Sequence, residues 1–192
     1  MSHPFFAMLS RMRYINRWGL MRNTFQENIQ EHSHQVAVLA HALAVIQNRF
    51  YGGQIDPGSV AVAALYHDAS EILTGDMPTP IKYDNPEIKA AYKQVEAMAE
   101  QKLLSMLPEE LRCDFDAAVT IPDPEVHAIV KAADKLSAYI KCVEELKAGN
   151  TEFKKALESS ERIVTELGER VPEVKWFMEN VAPSYEKSID EL

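Results

Sequence analysis

The stretch Val36-Ala-Val-Leu-Ala-His41-Ala-Leu-Ala-Val-Ile46 is apolar almost all the way round. That pattern predicts a central helix packed on several sides. Working outward, apolar residues recur at helical spacing along nearly the whole chain. Glycine is rare, with 7 residues in 192, and no sustained apolar/polar alternation offers a strand. The periodicity predicts helices over 4–17, 30–50, 57–73, 85–106, 108–119, 123–147, 151–168 and 173–180. Breakers separate them. Gly52-Gly53 ends the second helix, and Asp56-Pro57 opens the third as an N-cap followed by Pro at the first turn. Thr74-Gly75-Asp76-Met77-Pro78-Thr79-Pro80 reads as a loop, because Pro78 and Pro80 remove backbone donors. Pro122 and Pro124 precede a long helix that Gly149-Asn150 stops. The expected architecture is all-α, one domain over 1–192, with no repeat or linker.

Composition sets wider bounds. Apolar residues make up 46% and charged residues 26%, as in an ordinary soluble globular protein. No apolar run approaches the ~18 residues of a membrane span, and the first residues lack the pattern of a secretory signal, so the expected location is the cytoplasm with no membrane partner. A net charge of −9 disfavours long nucleic acid while leaving a small phosphorylated ligand open, since one metal and one arginine reverse a local potential. Cys113 and Cys142 stand too far apart for a Cys-x-x-Cys site and are expected as free buried thiols.

Function concentrates in Tyr66-His67-Asp68-Ala-Ser70-Glu71. Consecutive helical side chains point about 100° apart, so a cation between them takes both the imidazole and the carboxylate. Glu71 shares their helix face by its spacing of three and four residues. Three protic groups among Val60, Val62, Leu65, Ile72 and Leu73 are costly to bury without a task. His32 and Asp134 are further candidates, and a His…His-Asp…Asp set suits a divalent metal. On pattern alone Asp134 reads as an exposed acid paired with Lys131 or Lys135. His34, His41 and His127 read as structural histidines, and His3 as terminal and exposed.

His32, His67-Asp68 and Asp134, in this order, resemble the metal-binding signature of the HD-domain phosphohydrolases. Ile15-Asn-Arg17-Trp18, Glu31-His32-Ser33, Tyr66-His67-Asp68-Ala-Ser-Glu71, Thr74-Gly-Asp76-Met77-Pro78-Thr79-Pro80-Ile-Lys82 and Ala133-Asp134 narrow the likeness to the YfbR-type bacterial 5′-deoxynucleotidases. It runs from Phe5 to about Ile189. Met77 stands where Leu is expected and Gly19 where Pro is common; neither change removes a polar group. The resemblance implies an HD-domain helical bundle, its metal core at about 28–145. It implies hydrolysis of 2′-deoxynucleoside 5′-monophosphates to deoxynucleoside and phosphate, with ribonucleotides rejected. His32, His67, Asp68 and Asp134 would hold one divalent ion, with Co²⁺, Mn²⁺, Zn²⁺ and Mg²⁺ all admissible. Asp68 and Asp134 would also adjoin the substrate.

On the same resemblance, Arg17 would grip and orient the phosphate, and Trp18 would lie against the sugar where a 2′-hydroxyl would clash. The residues alone also allow a surface arginine and a core tryptophan. Glu71 is the candidate for positioning or deprotonating the water, and Asp76 for protonating the leaving 5′-oxygen; Asp76 also fits a turn cap. Met77, Pro78 and Thr79 would contact the nucleotide. The family implies a homodimer, and Trp176-Phe177-Met178 and Val181 fit either its surface or packing on the domain. Two other readings remain. One is a different HD phosphohydrolase acting on deoxynucleoside triphosphates or alarmones, which should show more Lys/Arg near the site than Arg17, Arg22 and Lys82. The other is a non-catalytic nucleotide sensor, which should have lost a ligand or an acid. No phosphate-cradling Gly-Lys loop, dinucleotide fingerprint or nucleophile elbow is present.

Overall fold

The computed structural model describes residues 2–78 and 85–192; Thr79, Pro80 and Lys82 of the sequence motifs lie outside them. Helix α1 (Phe5–Leu9) tightens into a 3₁₀ turn, Ser10–Tyr14. The helix expected over 4–17 stops there, because Ile15 turns extended and Asn16 pairs with Asn28 in an isolated antiparallel bridge. Arg17 and Trp18 therefore sit in a loop that returns to α2 (Ile29–Tyr51). Asn28 starts α2 through a capping box: its side chain accepts from the Gln30 and Glu31 amides, and Glu31 reaches back to the Asn28 amide. Gly52, at φ +74°, ends it in the left-handed conformation that costs glycine least.

Asp56 caps α3 (Pro57–Tyr66) as the sequence predicts. The single helix expected over 57–73 is broken, however. After Tyr66 the amides of Ala69 and Glu71 bond three residues back, to Tyr66 and Asp68, and helix resumes only as the short α4 (Glu71–Thr74). The tighter turn brings residues three apart into register, so Asp68 and Glu71 still share a side. Helices α5 (Pro86–Leu104), α6 (Glu109–Thr120), α7 (Pro124–Lys147), α8 (Lys154–Gly168) and α9 (Pro172–Asn180) follow. A 3₁₀ turn at Thr151–Phe153 leads into α8. No strand occurs among the described residues.

Helix α2 is central and packs against α3, α7 and α9. Val36, Leu39, Ala40, Leu43 and Ala44 enter a core shared with Val60 of α3, Leu136 and Ile140 of α7, Val164 of α8 and Phe177 of α9. It is not covered all round, as its sequence suggests: Val38, His41 and Val45 are exposed. A smaller cluster joins Phe5, Ala69, Leu103, Leu107 and Val119, and Ala69 ties the turn after His67-Asp68 to it. Two sequence expectations resolve here. Phe177 is buried and Trp176, Met178 and Val181 pack on the main core, with Trp176 stacked 5.1 Å from Phe50. Cys142 is buried, but Cys113 is exposed. Among the described residues no helix is long and apolar enough to cross a membrane.

Candidate functional site

Three elements converge at one end of the core. His32 comes from the first turn of α2, fully buried because its neighbours Ile29, Ser33 and Val36 face inward. His67 and Asp68 come from the turn after α3, and Asp134 from the middle of α7. One ligand atom each of His32, His67 and Asp68 lie within 4.8 Å of one another. Asp68 Oδ2 is 3.4 Å from His32 Nε2 and 3.2 Å from His67 Nε2, and Asp134 Oδ1 is 3.2 Å from His32 Nε2. The imidazoles lie with ring centroids 5.3 Å apart. The structure thus gathers all four residues named from the sequence.

Both Nε2 atoms are buried without a hydrogen-bond partner of proper geometry among the described residues. Such orphans are costly in a packed interior and are what a cation removes. The opposite ring atoms are engaged. His67 Nδ1–H donates to the Ala64 carbonyl at 2.7 Å, which leaves the Nε2 lone pair facing Asp68. His32 Nδ1 lies 3.1 Å from Ser137 Oγ, whose hydroxyl donates to Gln35 Oε1 at 2.9 Å; a proton on Nδ1 then frees Nε2. Arg17 Nη1 competes for that same Nδ1 at 2.6 Å, a contact suited to the other tautomer. Ligation requires the Ser137 arrangement. A borderline N/O donor set of this kind fits a divalent transition ion.

The surroundings act oppositely on the two imidazoles. Burial first, then Arg17, pushes His32 below the usual imidazole range, so its ring is neutral. At His67 burial acts downward, but the Asp68 carboxylate outweighs it and raises the ring. Burial opposes ionisation of Asp68 and Asp134, yet both are held well below the usual carboxylate range, Asp68 by His67 and Asp134 by its contacts with His32 and Lys135. Asp134 Oδ2 also accepts from Lys135 at 2.9 Å. The lysine pairing read from pattern alone and the place in the centre therefore hold together, one carboxylate oxygen serving each.

Arg17 borders this group. Burial works against its charge, but Glu27 first, then Asp134, Asp68 and Asp76, keep it firmly ionised. Its Nη1 donates to Glu27 Oε2 at 2.8 Å, and Nη2 lies 3.8 Å from Asp134 Oδ1. Trp18 follows at φ +58°, a left-handed conformation unusual for a bulky residue. Its indole sits 5.4 Å from the Phe153 ring and is half-buried. Glu71 is buried at the start of α4. Asp76, Met77 and Pro78 are partly buried in the irregular run after Gly75. Arg22 instead turns to Glu152, 3.0 Å away and nearly fully exposed. His34, His41 and His127 are exposed rather than core histidines.

Sequence reasoning missed Glu27, Ser137 and Gln35. The last two were findable, since Gln35 lies three residues after His32 and Ser137 three after Asp134, each on its ligand's helix face.

Against known proteins, the family model for YfbR-like 5′-deoxynucleotidases matches residues 4–185. The chain belongs to this family. A 5′-deoxynucleotidase of Vibrio cholerae is 53% identical over 191 residues, covering 98% of this chain and 97% of that one. One from Yersinia pseudotuberculosis is 51% identical over 195 residues, covering 100% and 97%. Among solved structures, an HD-domain phosphohydrolase from Listeria innocua superposes with a TM-score of 0.82 at 22% identity, covering 95% of this chain and 88% of that one. A cyanophage S-2L HD phosphohydrolase, bound to dA and one catalytic zinc ion, gives 0.62 at 24%, covering 93% and 96%. These two likenesses establish the HD-domain bundle as the fold.

Proposed function

We propose that this enzyme hydrolyses 2′-deoxynucleoside 5′-monophosphates to deoxynucleoside and inorganic phosphate, with His32, His67, Asp68 and Asp134 holding one divalent ion. The observation that carries the reading is the pair of buried, unpartnered Nε2 atoms facing two ionised carboxylates, in a chain of this family. The named activity of relatives at about half identity over nearly full length supports the substrate class. The ion, when bound, supplies charge that acidifies water and offsets that of the phosphate. Its identity lies among Co²⁺, Mn²⁺, Zn²⁺ and Mg²⁺; the zinc of the phage neighbour makes zinc one to test early.

The remaining steps belong to side chains. Arg17 binds phosphate oxygens and orients the group for in-line attack. Asp68 and Asp134 adjoin the bound phosphate. Glu71, shielded from solvent, orients or deprotonates the attacking water, and Asp76 protonates the departing 5′-oxygen. Trp18 lies against the sugar and leaves no space or partner for a 2′-hydroxyl. Met77 and Pro78, with Thr79 beyond the described residues, line the nucleotide. The chain works as one HD-type unit over 1–192, in the cytoplasm and as a homodimer. With Trp176, Phe177, Met178 and Val181 committed to the core, the exposed Val38, Val45, Val62 and Leu65 of the adjoining helices α2 and α3 are among the apolar side chains open to a partner copy.

The test is phosphate release from dAMP and AMP by metal-stripped protein with each ion restored, beside an Asp68→Ala control. Metal-dependent release from dAMP alone, absent in the control, supports both the metal site and the Trp18 sugar filter. Release from both nucleotides removes the sugar filter. Turnover only of dATP or an alarmone transfers the enzyme to another HD branch, and nucleotide binding without turnover makes it a sensor.

A further inference from the structure

We infer that Glu27 is a positioning residue that sets sugar selectivity, by locking Arg17 and Trp18 into one unit; this rests on the roles proposed above for those two side chains. One carboxylate oxygen, Oε2, accepts from Arg17 Nη1 at 2.8 Å and from Trp18 Nε1 at 3.0 Å. The same residue's carbonyl accepts from the Arg17 amide at 2.9 Å. Glu27 is 9% exposed, so water competes little for these bonds. An indole N–H is donor-only, and a guanidinium with one nitrogen pinned presents its other donors along a fixed edge. The bonds thus define both which way the indole face is turned and which edge of Arg17 remains for phosphate.

The backbone points the same way. Trp18 adopts φ +58°, a conformation unfavourable for a bulky non-glycine residue that persists only when its surroundings over-determine it. Its carbonyl is held by the Met21 amide at 2.9 Å and by Asn23 Nδ2 at 3.3 Å. Backbone and side chain are therefore both tethered. A tryptophan acting only as core filling needs neither a strained backbone nor a charged acceptor at its N–H.

The experiment compares kcat/KM for dAMP and AMP in Glu27→Ala, Glu27→Gln, Trp18→Phe and the Glu27→Ala/Trp18→Phe pair, each loaded with the same ion. Hydrogen bonds to a charged partner predict that Glu27→Ala lowers the dAMP-to-AMP ratio about tenfold. Trp18→Phe keeps a ring but loses the N–H, and is expected to lower the ratio similarly. The double variant should fall no further than the lower single, because both changes remove one linkage. Glu27→Gln keeps an acceptor oxygen and should recover most of the ratio while raising KM through the weakened Arg17 contact. A second readout needs no turnover: in a Trp176→Phe background, Trp18 fluorescence becomes more accessible to acrylamide on Glu27→Ala. If Glu27→Ala fails to fold, Glu27→Leu, which fills the space but offers no acceptor oxygen, takes its place in the cycle and the quenching assay. An unchanged ratio and quenching in Glu27→Ala (or Glu27→Leu), with Trp18→Phe altering the ratio, overturns the role of Glu27 and leaves the Trp18 filter standing. A ratio unmoved by Trp18→Phe and by Trp18→Ala overturns the filter itself.

Discussion

Glu145→Ala should destabilise this protein far more than a surface carboxylate would. The side chain is 1% exposed on α7 and serves four donors: the Thr24 amide at 2.9 Å, the Phe25 amide at 3.3 Å, Asn150 Nδ2 at 2.8 Å and Lys141 Nζ at 2.5 Å. Lys141 is itself buried, and its other bond goes to the Phe25 carbonyl. Removing the acid strands an ammonium in the interior, which costs about 3–5 kcal/mol. For a chain of this size each kcal/mol moves the melting temperature by about 2–4 °C, so a fall of roughly 10 °C is expected in a thermal melt at pH 7. Adding Lys141→Met should restore part of it by removing the stranded charge. The pH dependence gives an independent check. Against an opposing effect of burial, the bonds from Lys141, Asn150 and Thr24 lower the carboxyl from 4.5 to about 2. A lowered acid stabilises fully above its unfolded value and loses that contribution as pH falls through the folded one. The gap in urea stability between parent and variant should therefore shrink by about 3 kcal/mol between pH 5 and pH 2. A variant melting within about 2 °C of the parent at pH 7 refutes the buried-pair argument.

Other outcomes follow from the same structure. Asp68→Asn, which removes the carboxylate shared by both imidazoles, should cut phosphate release from dAMP about 100-fold without lowering the melting temperature of the metal-stripped protein. Zinc at about 100 times its dissociation constant should stabilise the metal-stripped protein by about 2.7 kcal/mol, and His32→Ala should abolish that shift in a calorimetric scan. Leu43→Ala opens a cavity at the fully buried centre of α2 and should cost about 2–5 kcal/mol in urea. Lys131 is pushed below its usual range by burial, then by Lys93, Lys135 and Lys89, so it belongs to a basic cluster reaching Asp134 through Lys135. Lys131→Glu should lower kcat/KM for dAMP several-fold at low salt with kcat unchanged, and the difference should fade at high salt.

What the sequence made legible follows from how local each cause is. Caps at Asn28, Asp56 and Asp123 and the stop at Gly52 are local chemistry, so α2, α3 and α7 begin, and α2 ends, near where the pattern puts them. His67 and Asp68 announce themselves because polar groups interrupt an apolar helix. The breaks at Ile15 and after Tyr66 are not local. The first exists because residue 16 finds residue 28, and the second because Ala69 is drawn into the cluster around Phe5 and Leu103. Glu27 was illegible for a related reason: in Asn23-Thr-Phe-Gln-Glu27-Asn it looks like a solvated loop acid, and only the returning chain buries it. Asp134 lay between these cases. Its helix was evident, but its membership in the centre came from resemblance rather than periodicity.

The origin of the site's parts in separate stretches bears on how the chain is made. Synthesis proceeds from the N-terminus, so His32 and then His67-Asp68 leave the ribosome long before Asp134 on α7. The loop bearing Arg17, Trp18 and Glu27 waits longer still, because its anchors are Glu145, Asn150 and Glu152. A nascent chain, or a product of early termination ending within α6, holds three of the four candidate ligands, lacks Asp134 and carries an untethered loop. Assembly of the four-residue group and its Arg17 loop therefore awaits chains translated nearly to completion.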